Sequence, residues 1–280
     1  MITVSSADIN MWVAGLLWPL ARIMALIAAS PLFGNSAVPV RIKLSLGILL
    51  AMIVAPAVPA GPAADPLSLA GLLILAQEML VGLAMGFTIR IIFAAVEMAG
   101  EISSLTMGLG FATFFDPATQ GRSSAISQFL SLVATMAFLA VNAHLVLLAA
   151  LVESFSSLPI SATPVYGGGF KQLADWGGKI FSTGVQLSLP IVAALLITNV
   201  ALGILTRAAP QLNLFGIGFP ITLGVGLLVI AMTLPYLGTP VQNLFLEGIE
   251  RVRLMPRTWS QRPPPVKPAS LPVRPPGLQP

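Results

Sequence analysis

Arg90, Glu97 and Glu101 are the side chains whose types and spacing most invite chemistry. On a helix they fall within about 40° of one another, a narrow stripe that Ser104 extends. Two carboxylates on one face could serve acid–base hydrolysis, but nothing near them in sequence suggests a substrate pocket. The stripe reads foremost as a charge-compensated, buried polar packing face turned away from lipid, because charges inside a membrane pair within the bundle. The functional alternative is a conduit lining or a contact with a partner subunit. His144 stands with Asn142 in the uncharged run Ser123 to Val152. It reads as a helix–helix hydrogen-bonding group, since a proton relay needs a chain of titratable groups.

Other chemistries fail on their motifs. Gly177-Gly178-Lys179-Ile180 approaches a phosphate loop but lacks the leading glycine, where Leu173 stands, and the hydroxyl after the lysine. Gly108-Leu109-Gly110-Phe111-Ala112-Thr113 lacks the third glycine of a dinucleotide fingerprint, and there is no Gly-x-Ser-x-Gly elbow. With no cysteine and one histidine, thiolate catalysis and Cys- or multi-His metal sites are excluded. No catalytic residue, metal or cofactor is expected.

One segment suggests mechanics instead. Met107-Gly-Leu-Gly-Phe-Ala-Thr-Phe-Phe-Asp-Pro-Ala-Thr-Gln-Gly-Arg122 lies between two hydrophobic helices. Phe111, Phe114 and Phe115 are bulky apolar groups on a glycine-flanked loop, able to close an aqueous path by dewetting and still move. Met107 would be an adaptable filler, Gly108 and Gly110 the hinge, and Asp116-Pro117 the stop that fixes the loop's exit. An ordinary buried turn is the plainer reading, which residue physics alone slightly favours.

The elements that must position these groups are membrane elements. Of 280 residues, 56% are hydrophobic and only 9% charged, against about 25% charged in a soluble domain. Mean hydropathy is +0.92. Apolar segments near 10–33, 42–60, 67–99, 123–152, 180–206 and 211–246 are of spanning length, which takes about 20 residues. Pro19, Arg22, Glu78, Arg90, Glu97, Pro220, Pro235 and Pro240 interrupt them, so bent helices or hairpins with polar groups between helices fit better than straight spans. The expected fold is all-α: membrane-associated bent helical hairpins with about six hydrophobic segments. Residues 56–66 read as a proline-punctuated turn and 156–179 as a polar, glycine-rich loop.

The first ten residues hold no Lys or Arg and do not read as a cleaved signal. Six of the 14 basic residues follow residue 250, where no acid stands, and the remainder carries a net −2. The basic pI therefore belongs to the tail and does not indicate nucleic acid. The expected division is a helical domain over 1–255 and a proline-rich, basic, disordered tail over 256–280, cytoplasmic by the positive-inside rule. There is no internal repeat, which counts against a small-solute transporter built from inverted halves.

Three blocks give the chain a family likeness from about Trp12 to Arg253. They are Pro31-Leu-Phe-Gly-Asn-Ser-Ala-Val-Pro-Val-Arg41, Met107-Gly-Leu-Gly-Phe-Ala-Thr-Phe-Phe-Asp-Pro117 with Gln128-Phe129, and Ala209-Pro-Gln-Leu-Asn-Leu-Phe-Gly-Ile-Gly-Phe-Pro220. In these the chain resembles the FliR family of flagellar biosynthetic export-gate subunits, whose virulence counterparts serve injectisome type III secretion. The resemblance implies a non-enzymatic inner-membrane subunit of the flagellar basal body, assembled with FliP and FliQ and contacting FlhB. Exported flagellar proteins would pass it transiently. It also implies that Met107 to Arg122 corresponds to the loop that plugs the closed channel. The Met-Gly-Leu-Gly-Phe-Ala and Asp-Pro wording favours flagellar over injectisome use. Thr222 departs from a frequent lysine, Ala143 from a frequent glycine, and the tail is additional to the family core.

Overall fold

The computed structural model describes residues 6–59, 62, 64–111, 123–161, 163, 168–209 and 214–260, with side chains before Gly15 excluded. Every regular element among them is helical: α1 Ser6–Ala29, α2 Val40–Val54, α3 Leu69–Thr106, α4 Ala125–Ala140, α5 Ala143–Ser157, α6 Gly168–Gly177, α7 Lys179–Ala208 and α8 Phe219–Ser260. The all-α expectation holds. Single turns at Ala55–Ala57 and Leu109–Phe111 are 3-10, and Leu214–Gly218 is π-helical.

The central helix α3 packs against α1, α4, α7 and α8, which is why its residues from Ile74 to Ser104 are so largely buried. Close approach is set by small residues. A side chain at Gly82 or Gly86 would strike the α1 backbone at Arg22 or Leu26, so this glycine pair is a packing face. The core centres on Phe93, Phe138 and Phe245 from α3, α4 and α8, with ring centroids 5.0–5.7 Å apart.

Four described helices are long and apolar enough to cross a membrane, or five if α4 and α5 count as one span bent by 66°. That bend has a local cause. Asn142 takes a left-handed φ of 54° between the two helices, a conformation that asparagine tolerates better than most residues. His144, two residues on, has its ring tilted 51° to that of Phe138 at 6.5 Å between centroids, and its Nδ1 is buried without a partner among the described residues.

Two boundaries differ from the sequence expectation. Residues 168–177 form α6 instead of loop, because Phe170, Leu173 and Trp176 recur at helical spacing among the glycines. Helix α8 continues through Pro256 to Ser260, into the stretch expected as tail. Pro256 and Trp259 are buried there, and Trp259 lies against Gly169 and 5.0 Å from Phe170. Residues 261–280 of the expected tail lie outside the described residues.

Candidate functional site

The end of α3 begins the segment singled out for its phenylalanines. Met107 closes the helix, and Gly108 turns the chain with φ 88° while its N–H donates to the Leu105 carbonyl at 3.1 Å. A left-handed residue after a helix is the usual glycine stop. The positive φ at 108 therefore favours glycine, apart from any hinge role. Gly110 sits in the 3-10 turn Leu109–Phe111 that follows. The side chain of Phe111 and all of Phe114, Phe115, Asp116 and Pro117 lie outside the described residues.

Both ends of this segment are tied down. Met107 is fully buried against Gly226 of α8, where a side chain at 226 would collide with it. The Thr222 hydroxyl, also on α8, shares its one proton between the Phe219 carbonyl at 3.0 Å and the Met107 carbonyl at 3.2 Å. At the far end, Glu101 accepts the Ser124 N–H at 2.7 Å, and the Ser124 hydroxyl accepts the Ser127 N–H at 3.1 Å, capping α4. Glu97 extends the seam. Its carboxylate accepts the Ser131 hydroxyl at 3.0 Å, and its backbone carbonyl accepts the Ser127 hydroxyl at 2.9 Å. Thr222 was noted in the sequence only as a departure from a frequent lysine, and Gly226 not at all, since a threonine and a glycine in an apolar helix carry no signal of a contact with Met107.

The Arg90 stripe lies on one face of α3, but the three residues do not form a closed, buried set in the single chain. Arg90 is exposed, Glu97 and Glu101 are half-buried, and Arg90 has no carboxylate partner among the described residues. Geometry explains this. Residues seven apart on a helix lie about 10 Å apart along the axis, whereas i,i+3 and i,i+4 neighbours meet. Both glutamates are already engaged by α4. Arg90 instead opens into a pocket of about 460 Å³ that it shares with Asn35, Ser36, Glu97, Ser131 and Thr135.

The fully buried ion pair is elsewhere. Arg22 of α1 holds Glu78 of α3 through two hydrogen bonds of 2.7 and 3.0 Å, with both side chains wholly inaccessible. Two of its other N–H groups reach the Ser154 hydroxyl and the Leu158 carbonyl, each at 3.0 Å, and the guanidinium lies 4.3 Å from the Phe155 ring centre. One arginine thereby ties together α1, α3 and the end of α5. The signal was two opposite charges inside apolar segments, which must pair to be tolerated.

Comparison with known proteins places this architecture. The model of "Bacterial export proteins, family 1" matches residues 13–248. The chain is 42% identical over 248 residues to the flagellar biosynthetic protein FliR of Pectobacterium carotovorum subsp. carotovorum, covering 88% of this chain and 94% of that protein. It is 40% identical over 247 residues to FliR of Escherichia coli (strain K12), covering 88% and 94% respectively. With FliR of Bacillus subtilis (strain 168) the identity is 32% over 237 residues, covering 83% and 90%.

Proposed function

The chain belongs to family 1 of the bacterial export proteins, the family of FliR, and we propose that the segment after α3 is the closure of its export path. The protein is a subunit of the flagellar export apparatus, and its apolar helices make it a membrane protein. Its work is structural and gating, with no catalytic step, and the energy for export comes from other components. It assembles with FliP and FliQ, contacts FlhB, and keeps its C-terminal tail on the cytoplasmic side.

The observation that carries the gate reading is the double anchorage. Met107 is seated in α8 by Thr222 and Gly226, and Ser124 is held by Glu101. A segment held at both feet in this way can carry a plug across a fixed opening. Phe111, Phe114 and Phe115 supply the apolar bulk that excludes water and ions.

Replacing Phe114 and Phe115 by alanine is expected to leave assembly intact and to make the resting membrane leaky. Uptake of small solutes or loss of membrane potential in cells expressing the variant measures it. An assembled variant as tight as the wild type would make the phenylalanines packing residues.

A further inference from the structure

Helix α3 is covered on most sides, and what stays open on it has a pattern. From Leu80 to Glu97 every residue is buried except Leu80, Leu83, Phe87, Arg90, Ala94 and Glu97. Their steps alternate between three and four residues, an unbroken period of about 3.5. That is the period of a seam along which two helices pack at about +20°, the side chains of each entering holes between those of the other. The stripe is one residue wide. On one side α1 closes against Gly82 and Gly86, and on the other Ser127 and Ser131 of α4 meet Glu97. Its length from Leu80 to Glu97 is about 26 Å, nearly five helical turns.

Halfway along, charge replaces carbon. Leu80, Leu83 and Phe87 are apolar and at least 40% exposed. Arg90 follows, exposed and without a carboxylate partner among the described residues. It opens into the pocket of about 460 Å³, whose walls also carry Asn35 and Ser36 from the turn after α1 and Ser131 and Thr135 from α4. Glu97 stands about 10 Å further on, where its carboxylate accepts the Ser131 hydroxyl at 3.0 Å. An incoming acid therefore meets a cation level with Arg90 and a like charge level with Glu97. Attraction at one point and repulsion at the other define a single register for whatever lies along the seam.

We propose that this stripe seats one helix of another export subunit, a helix apolar opposite Leu80, Leu83 and Phe87 and carrying an aspartate or glutamate opposite Arg90. A carboxylate takes two parallel N–H bonds from a guanidinium, and the polar side chains around Arg90 line the space in which it would sit. Lipid is the competing cover. An acyl chain matches Leu80 to Phe87 but leaves Arg90 unpaired, and charges in apolar surroundings are tolerated when they pair. The inference needs only that the chain is one subunit of the export apparatus, so it stands or falls separately from the gate reading.

The full chain, co-expressed with the other export subunits and extracted in mild detergent, tests this. Arg90→Glu should lower co-purification of one subunit at least about tenfold, as breaking a buried charge pair across an interface does. Arg90→Lys should keep part of it. A photo-crosslinking side chain placed at Leu83 or Phe87 of the otherwise unchanged chain should reach a single helix of that subunit, with an acidic residue within two turns of the crosslink. Replacing that acid by arginine in the Arg90→Glu background should restore co-purification. Full co-purification of Arg90→Glu, or no restoration by the reversed pair, would overturn the seam. Crosslinks to lipid alone would assign the stripe to lipid and overturn it, and they decide the matter even if Arg90→Glu fails to accumulate. Asp116→Asn reproducing the loss, with crosslinks confined to this chain, would give Arg90 an acid of its own loop and overturn the proposal equally.

Discussion

Arg22 and Glu78 carry the largest single-residue consequence in this fold. A buried ion pair gives little net stability over an apolar pair of like size, but breaking it strands a charge at a cost of about 3–5 kcal/mol. Glu78→Gln should therefore lower the thermal stability of the detergent-purified chain sharply. Arg22→Met together with Glu78→Leu should recover most of the loss; failure to recover would show that Arg22 matters through Ser154 and Leu158 instead. Gly108 is a backbone case. Alanine there must hold a left-handed φ, costing about 1–2 kcal/mol, and the same melting experiment reads it. Which charges were structural was only half legible in the sequence. The helical stripe Arg90, Glu97 and Glu101 follows from spacing within one helix. The pairing of Arg22 with Glu78 joins residues 56 apart, and no local period reports a contact of that kind.

At the scale of elements, the helices were readable wherever an apolar run was long, and the errors fell where glycine or proline interrupted it. Helix α6 was hidden by its glycines, and the last turns of α8 by Pro256. In both cases tertiary packing overrides local preference: Trp176 and Trp259 bury their rings, and that burial offsets the poor helix formers beside them. Two truncations bracket the last turn of α8. Removing residues 261–280 should leave assembly and swimming nearly unchanged, because that segment lacks apolar area to offset ordering. Removing 257–280 also deletes Trp259 and should cost about 3–5 kcal/mol, as loss of a buried tryptophan does. Steady-state level of the two truncations in membranes checks this, and equal levels would mean that Trp259 adds nothing. The segment between α3 and α4 was legible as special through its phenylalanines and glycines. Its anchors were not, because Thr222 meets Met107 across 115 residues.

At the scale of the molecule, the helices are too long for one bilayer to cover. Helix α3, at 38 residues, extends about 57 Å, and α8, at 42 residues, about 63 Å, against about 30 Å of hydrocarbon. Burial within the chain is also uneven. The buried row of α7 is narrow, and Leu196, Ile197, Val200 and Ile204 are all more than half exposed. Such a face is covered either by lipid, which adapts to any apolar shape, or by the helices of other subunits, which pack to fixed complementarity. The two covers respond differently to added bulk. Tryptophan at Ile197 or Val200 stays apolar, so a lipid-facing position accepts it without effect. At a packed interface the extra volume costs about 1–3 kcal/mol. An export subunit whose length exceeds the bilayer requires neighbours along this face. Ile197→Trp and Val200→Trp should thus leave the level of the chain in membranes unchanged while reducing its co-purification with the other export subunits. Full co-purification of both variants would assign the face to lipid and move the subunit contacts to another apolar surface, such as that of α2 with its exposed Ile42, Leu49, Met52 and Ile53.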